Sequence, residues 1–209
     1  MRGKTYHRFG YGNMRDYPLA DDKYAIEQLA NRYDFIDINR VGIFGHSGGG
    51  FMATAAICTY PDFYKAAVSS SGNHDNNIYN RGWVEIYNGV QESTKTIQTA
   101  TGKDSIIYTF SSHVPTNMEL AKNLKGHLLL VSGDQDRNVH PAHLLRMANA
   151  LIQANKNFEM LLIPGAKHGY TGQANRFFEK KLWFHFAKYL LGDFSSEQFT
   201  DLDETLKIK

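Results

Sequence analysis

Three residues, read in chain order, have the types and surroundings for nucleophilic catalysis. Ser47 stands at the centre of Gly45-His46-Ser47-Gly48-Gly49, directly after the apolar run Val41-Gly42-Ile43-Phe44. A chain that turns from strand to helix within one or two residues strains its central residue, and Gly45, Gly48 and Gly49 would give it room. Such a turn presents the serine hydroxyl at the strand's carboxyl end, with the Gly48 amide beside it, ready to bind an oxyanion. The alternative is a glycine-rich turn that cradles phosphate, but a phosphate loop would want Gly-Lys-Ser/Thr, and no Lys follows these glycines.

An acid and a histidine follow. After Leu128-Leu129-Leu130-Val131 comes Gly133-Asp134-Gln135-Asp136, where one aspartate can orient a histidine and the other can shape the turn. Asp136 is taken as the orienting acid. His168 lies in Gly165-Ala166-Lys167-His168-Gly169, after a further apolar run, and could accept the Ser47 proton and return it to a leaving amine. The order Ser, Asp, His, each after its own strand, is that of the α/β-hydrolase arrangement.

Positioning these groups requires alternating strands and helices, hence an α/β fold with a mostly parallel sheet and its function at the strands' carboxyl ends. Strands are predicted at residues 41–44, 65–70, 128–131 and 158–163, with the first apolar on both faces like a central strand. Helices are predicted from a cap at Asp21 or Asp22 to about Arg32, over 49–59, 80–87 and 117–123, from Pro141, and over 174–191 up to Gly192. The first of these buries Tyr24, Ala25, Leu29 and Tyr33; the helix after Pro141 buries Leu144, Leu145, Met147, Ala148 and Leu151. The last puts Phe177, Phe178, Leu182, Phe184, Phe186 and Leu190 against the core. Residues 1–17 read as surface loop and 194–209 as a fraying tail, while the Thr-rich stretch 93–109 shows no clear pattern.

At 209 residues the chain is expected to form one domain, 1–209. Its 23 basic and 21 acidic residues are mixed along the chain, so neither nucleic acid nor a membrane surface is implied as a partner. Residues 1–13 lack the apolar run of a signal peptide. No metal is expected, because the histidines lack ligand spacing, and no cofactor is implied. Cys58 reads as a buried thiol. Tyr79, Trp83 and Tyr87 recur at intervals of four, placing them on one helix face after the second strand, where they could form an aromatic pocket overhanging Ser47.

Taken together, Arg2-Gly3, Asp37-x-x-Arg40, Gly45-His46-Ser47-Gly48-Gly49-Gly50-Phe51, Gly72-Asn73-His74-Asp75-Asn76, Gly133-x-x-Asp136-x-Asn138-Val139-His140 and Gly165-x-x-His168 resemble the carboxyl-terminal part of the prolyl oligopeptidase family, most closely its dipeptidyl peptidase IV-like branch. The resemblance implies a serine peptidase acting on short peptides with the triad Ser47, Asp136 and His168. It also implies that Asn138 lies near the backbone carbonyl of the penultimate peptide residue, and that Tyr79, Trp83 and Val139, with Tyr87 as a further candidate, border a pocket suited to proline. Members often carry tyrosine directly after the nucleophile; Gly48 implies a roomier pocket. They also carry a β-propeller and earlier hydrolase strands, including the loop or side chain that supplies a second oxyanion donor. By that comparison the chain is expected to be incomplete at its amino-terminal side, with the strand at 41–44 as a bare edge open to a second copy or a partner chain. Loss of one oxyanion donor costs on the order of 10²–10³ in rate, so weak activity is expected. Competing readings are an esterase or acyl-peptide hydrolase on the same triad, and a non-catalytic module completed by another chain.

Overall fold

The structure is a computed structural model, described here for residues 2–99, 101–102 and 104–195. The elements in chain order are α1 (Gly3–His7), α2 (Leu19–Ala30), β1 (Val41–His46), α3 (Gly48–Thr59), β2 (Tyr64–Ser70), α4 (Arg81–Asn88), β3 (Gln91–Gln98), β4 (Asp104–Ser111), β5 (His127–Gly133), α5 (Ala142–Gln153), β6 (Glu159–Ile163) and α6 (Gly172–Phe186). A 3₁₀ turn at Asn76–Ile78 precedes α4, a 3₁₀ helix at Asn117–Asn123 precedes β5, and a π turn at Ala187–Leu191 extends α6 to the left-handed Gly192.

The main sheet is parallel throughout, in the order β1-β2-β5-β6. Its centre is buried on both sides, as apolar runs in βαβ units require. Leu128 and Leu130 of β5 join one core cluster with Ile57, Met147 and Leu151, whereas Leu129 and Val131 join the other with Val68, Ile163 and Leu182. That alternation is the two-residue period of a strand. In register, His46 pairs with Ser70, Ser70 with Val131 and Gly133 with Ile163, so the strands end along one rim.

β1 is the bare edge that the resemblance implies, although its apolar faces read like those of a central strand, and Phe44 is 65% exposed on it. Several expectations need correcting. Residues 3–7 form a helical turn that buries nothing, so no amphipathic pattern marks it. α2 starts two residues before Asp21, with Pro18 at its N-cap; Asp21 and Asp22 sit in the first turn, where they oppose the helix dipole. Tyr24, Ala25, Leu29 and Tyr33 are exposed, and the opposite face carries Leu19 and Ile26 to the core. Leu145 and Phe177 are likewise exposed. The helix at 117–123 is 3₁₀, with the Thr116 N–H donating to the Glu119 carboxylate at 3.1 Å. Of the stretch 93–109, residues 93–98 and 104–109 belong to an antiparallel pair, β3 with β4, that stands almost wholly in solvent. Of the tail at 194–209, residues 196–209 lie outside the described residues. Among the described residues no helix is long and apolar enough to cross a membrane.

Candidate active site

Ser47 occupies the N-cap of α3 with φ 58° and ψ −123°, a conformation that costs a non-glycine residue free energy and persists only where surrounding contacts enforce it. Its N–H donates to the Ser70 carbonyl at 2.8 Å and its carbonyl accepts from Phe51 N–H at 3.0 Å. The glycines that make this turn possible are not quite the expected ones. A Cβ at Gly45 would lie 2.3 Å from the Gly49 backbone, and one at Gly50 would lie 2.6 Å from the Ser70 carbonyl, whereas Gly48 and Gly49 face open space. As the first residue of α3, Gly48 keeps its N–H outside the helical ladder, free for an oxyanion.

Asp136, 1% exposed, lies three residues beyond β5. Its Oδ1 accepts from the N–H groups of Asn138 and Val139, both at 2.9 Å, which fixes the carboxylate and leaves Oδ2 for His168 Nδ1 at 2.8 Å. An ionised carboxylate only accepts, so Nδ1 carries the proton and Nε2 is left to accept from the Ser47 hydroxyl at 3.0 Å. The three side chains expected from sequence thus meet in one hydrogen-bonded line. Asp134 does more than shape its turn: its Oδ1 accepts from Gly165 N–H at 2.6 Å and, with Gln135 N–H donating to the Ala166 carbonyl at 2.9 Å, ties the His168 loop to the end of β5.

A second layer was not legible from spacing. His46 lies against His168, ring centroids 4.8 Å apart, and donates from Nδ1 to Ser70 Oγ at 2.9 Å; Ser70 donates in turn to Tyr170 OH at 3.0 Å. Burial, and then the neighbouring His168, holds the His46 imidazole below its ordinary pKa. Below α3, Ser69 donates to the Gly50 carbonyl at 2.8 Å, and Asn117 Nδ2 donates both to the Phe51 carbonyl at 2.8 Å and to His74 Nδ1 at 3.0 Å. These bonds clamp the start of α3 from beneath.

The expected pocket residues are only partly gathered. Tyr79 OH donates to Asn138 Oδ1 at 3.0 Å, and Tyr79, Trp83 and Tyr87 form a chain of ring contacts at 5.5 and 5.0 Å. Val139 is buried. Of this set, Trp83 alone lines the cavity of about 200 Å³ that Gly48 also borders. Phe51 and Met52 of α3, Asn73, and Met14, Tyr17 and Pro18 complete it, so the amino-terminal segment is more than the surface loop its sequence suggests. Tyr87 lines a different hollow of about 750 Å³ with Tyr6, Phe9 and Tyr11. Among the described residues no group of three or more His, Cys, Asp or Glu is placed to hold a metal.

Comparison with known proteins bears on the family and the fold. Residues 1–194 match the prolyl oligopeptidase family. The chain is 30% identical to human dipeptidyl peptidase 8 over 150 residues, covering 72% of this chain and 16% of that protein. It is 24% identical to human prolyl endopeptidase FAP over 185 residues, covering 88% and 22%. Among solved structures it resembles a putative dipeptidyl aminopeptidase IV from Bacteroides ovatus, with TM-score 0.75, 24% identity and coverage of 90% and 25%. It also resembles Porphyromonas gingivalis dipeptidyl peptidase 4, with TM-score 0.71, 25% identity and coverage of 88% and 24%. The chain therefore spans a quarter or less of the length of each of these proteins. With a parallel sheet that carries its strained serine turn, its acid and its histidine on one rim, and a family match over nearly its whole length, the chain belongs to the prolyl oligopeptidase family and has its α/β-hydrolase fold.

Proposed function

We propose that the chain is a serine peptidase domain that hydrolyses short peptides, of dipeptidyl or prolyl type, through an acyl-enzyme. The observation that carries this reading is the line Ser47 Oγ to His168 Nε2 at 3.0 Å and His168 Nδ1 to Asp136 Oδ2 at 2.8 Å, beside the free amide of Gly48. In the first step Ser47 Oγ bonds to the substrate carbonyl carbon as its proton passes to His168 Nε2. The resulting oxyanion is stabilised by the Gly48 N–H, and the imidazolium by Asp136. His168 then protonates the leaving amine, and water repeats the sequence in reverse to release the acid. The names of the relatives, a dipeptidyl peptidase and a prolyl endopeptidase, support the substrate class.

The test is release of nitroaniline from dipeptidyl anilides with a free amine, measured beside the corresponding esters, for the chain and its Ser47→Ala variant. Slow but Ser47-dependent anilide cleavage is expected. Ester cleavage alone would favour the esterase reading, and cleavage surviving Ser47→Ala would refute the assignment.

The edge position of β1 favours one further reading, that a second copy or partner chain pairs with it.

A further inference from the structure

Resting on the peptidase reading above, we infer that the cavity beside Gly48 is a specificity pocket for a bulky apolar side chain, such as Phe, Leu or Met, on the residue whose carbonyl Ser47 attacks, in preference to proline. Position comes first. That carbonyl must sit between Ser47 Oγ and the Gly48 N–H, and Gly48 is itself part of the cavity wall, so the carbon next to the carbonyl stands at the cavity mouth. Nothing blocks the entrance: a Cβ built on Gly48 meets no heavy atom within 4 Å.

Size and chemistry follow. The cavity measures about 200 Å³. An apolar hollow of about 150 Å³ is enough to hold benzene. Beside Gly48 its walls are Met14, Tyr17, Pro18, Phe51, Met52 and Trp83, with the Asn73 amide as a polar member; Phe51 and Asn73 are each 3% exposed, so that side is fixed. Proline offers three methylenes tied back to the peptide and would leave much of this volume empty. Thioether and aromatic walls adapt to flexible or flat guests. A single methylene in such a pocket changes kcat/KM by about 10–200-fold, so a phenyl ring in place of the proline ring gains at least the lower bound.

Aminoacyl diphenyl phosphonates differing only in side chain give a direct reading on the chain. In that reaction Ser47 Oγ bonds to phosphorus, phenoxide leaves, and the serine proton passes through His168 to phenoxide. The Phe phosphonate should inactivate at least about tenfold faster than the Pro or Ala phosphonate. In Gly48→Tyr, whose ring would occupy the cavity, the Phe-to-Pro ratio should fall at least about tenfold, whatever happens to the absolute rates. A Pro probe that matches or exceeds the Phe probe, while a plain fluorophosphonate still labels Ser47, overturns the pocket and leaves the triad standing. Absence of fluorophosphonate labelling at Ser47 overturns both.

Discussion

Lowering the pH should weaken the clamp beneath α3 through one residue, His74. This imidazole is 1% exposed, accepts from Asn117 Nδ2 at Nδ1, and turns Nε2 toward Ser69 Oγ at 3.4 Å, an arrangement that suits the neutral ring. Burial, reinforced by nearby His143, lowers its pKa to about 3. In the unfolded chain it returns to about 6.5, so between these values the unfolded state binds the extra proton. Stability is then complete above the unfolded pKa and falls as the pH drops toward the folded one. At about pH 5, roughly 1.5 pH units below the unfolded pKa, proton uptake favours the unfolded form by about 2 kcal/mol relative to neutral pH. Urea unfolding at a series of pH values, for the chain and for His74→Gln, measures this directly. Gln can still pair with Asn117 but does not titrate, so the variant should start less stable yet lose about 2 kcal/mol less on acidification. Parallel pH slopes in the two proteins would refute the reasoning.

Other outcomes follow from the same geometry. Asp136→Asn should slow fluorophosphonate labelling by up to about 10⁴-fold, because the amide no longer fixes the Nδ1–H tautomer; a loss under tenfold would count against the relay. Tyr170→Phe, which removes the hydroxyl that accepts from Ser70, should cost about 1 kcal/mol in urea unfolding and only a few-fold in labelling. Cys58 is fully buried with its thiol pushed up to about 12 by burial, so iodoacetamide should modify it only after denaturation, as read by intact mass. If β1 accepts a second copy, light scattering should show mass rising with concentration, and Phe44→Lys should suppress that rise; an unchanged monomer mass would oppose the pairing.

Sequence revealed what is encoded locally. The buried run at 128–131 could only be an interior strand, and the Gly-x-Ser-x-Gly turn, the following Asp and the later His each announce themselves by the strand they follow. What escaped depends on long-range packing. The apolar side chains of β1 read like those of a central strand, and its edge position came from the family resemblance instead, because strand order belongs to the whole sheet. α2 carries apolar residues on two faces, and Ile26 rather than Tyr24 and Leu29 meets the core. The hairpin β3–β4 buries neither face, so it lacks the alternation that marks a half-buried strand. The layer of His46, Ser70 and Tyr170, and the Met14 and Tyr17 wall, join residues far apart in the chain.

The claim on which everything turns is that Ser47 is made nucleophilic by His168 and Asp136. Peptide mapping of the fluorophosphonate-treated chain by mass spectrometry tests it most directly. One adduct is predicted, on Ser47, absent after denaturation before treatment and nearly absent in His168→Ala. An adduct on another residue, or one on Ser47 that forms equally fast without His168, would contradict the account.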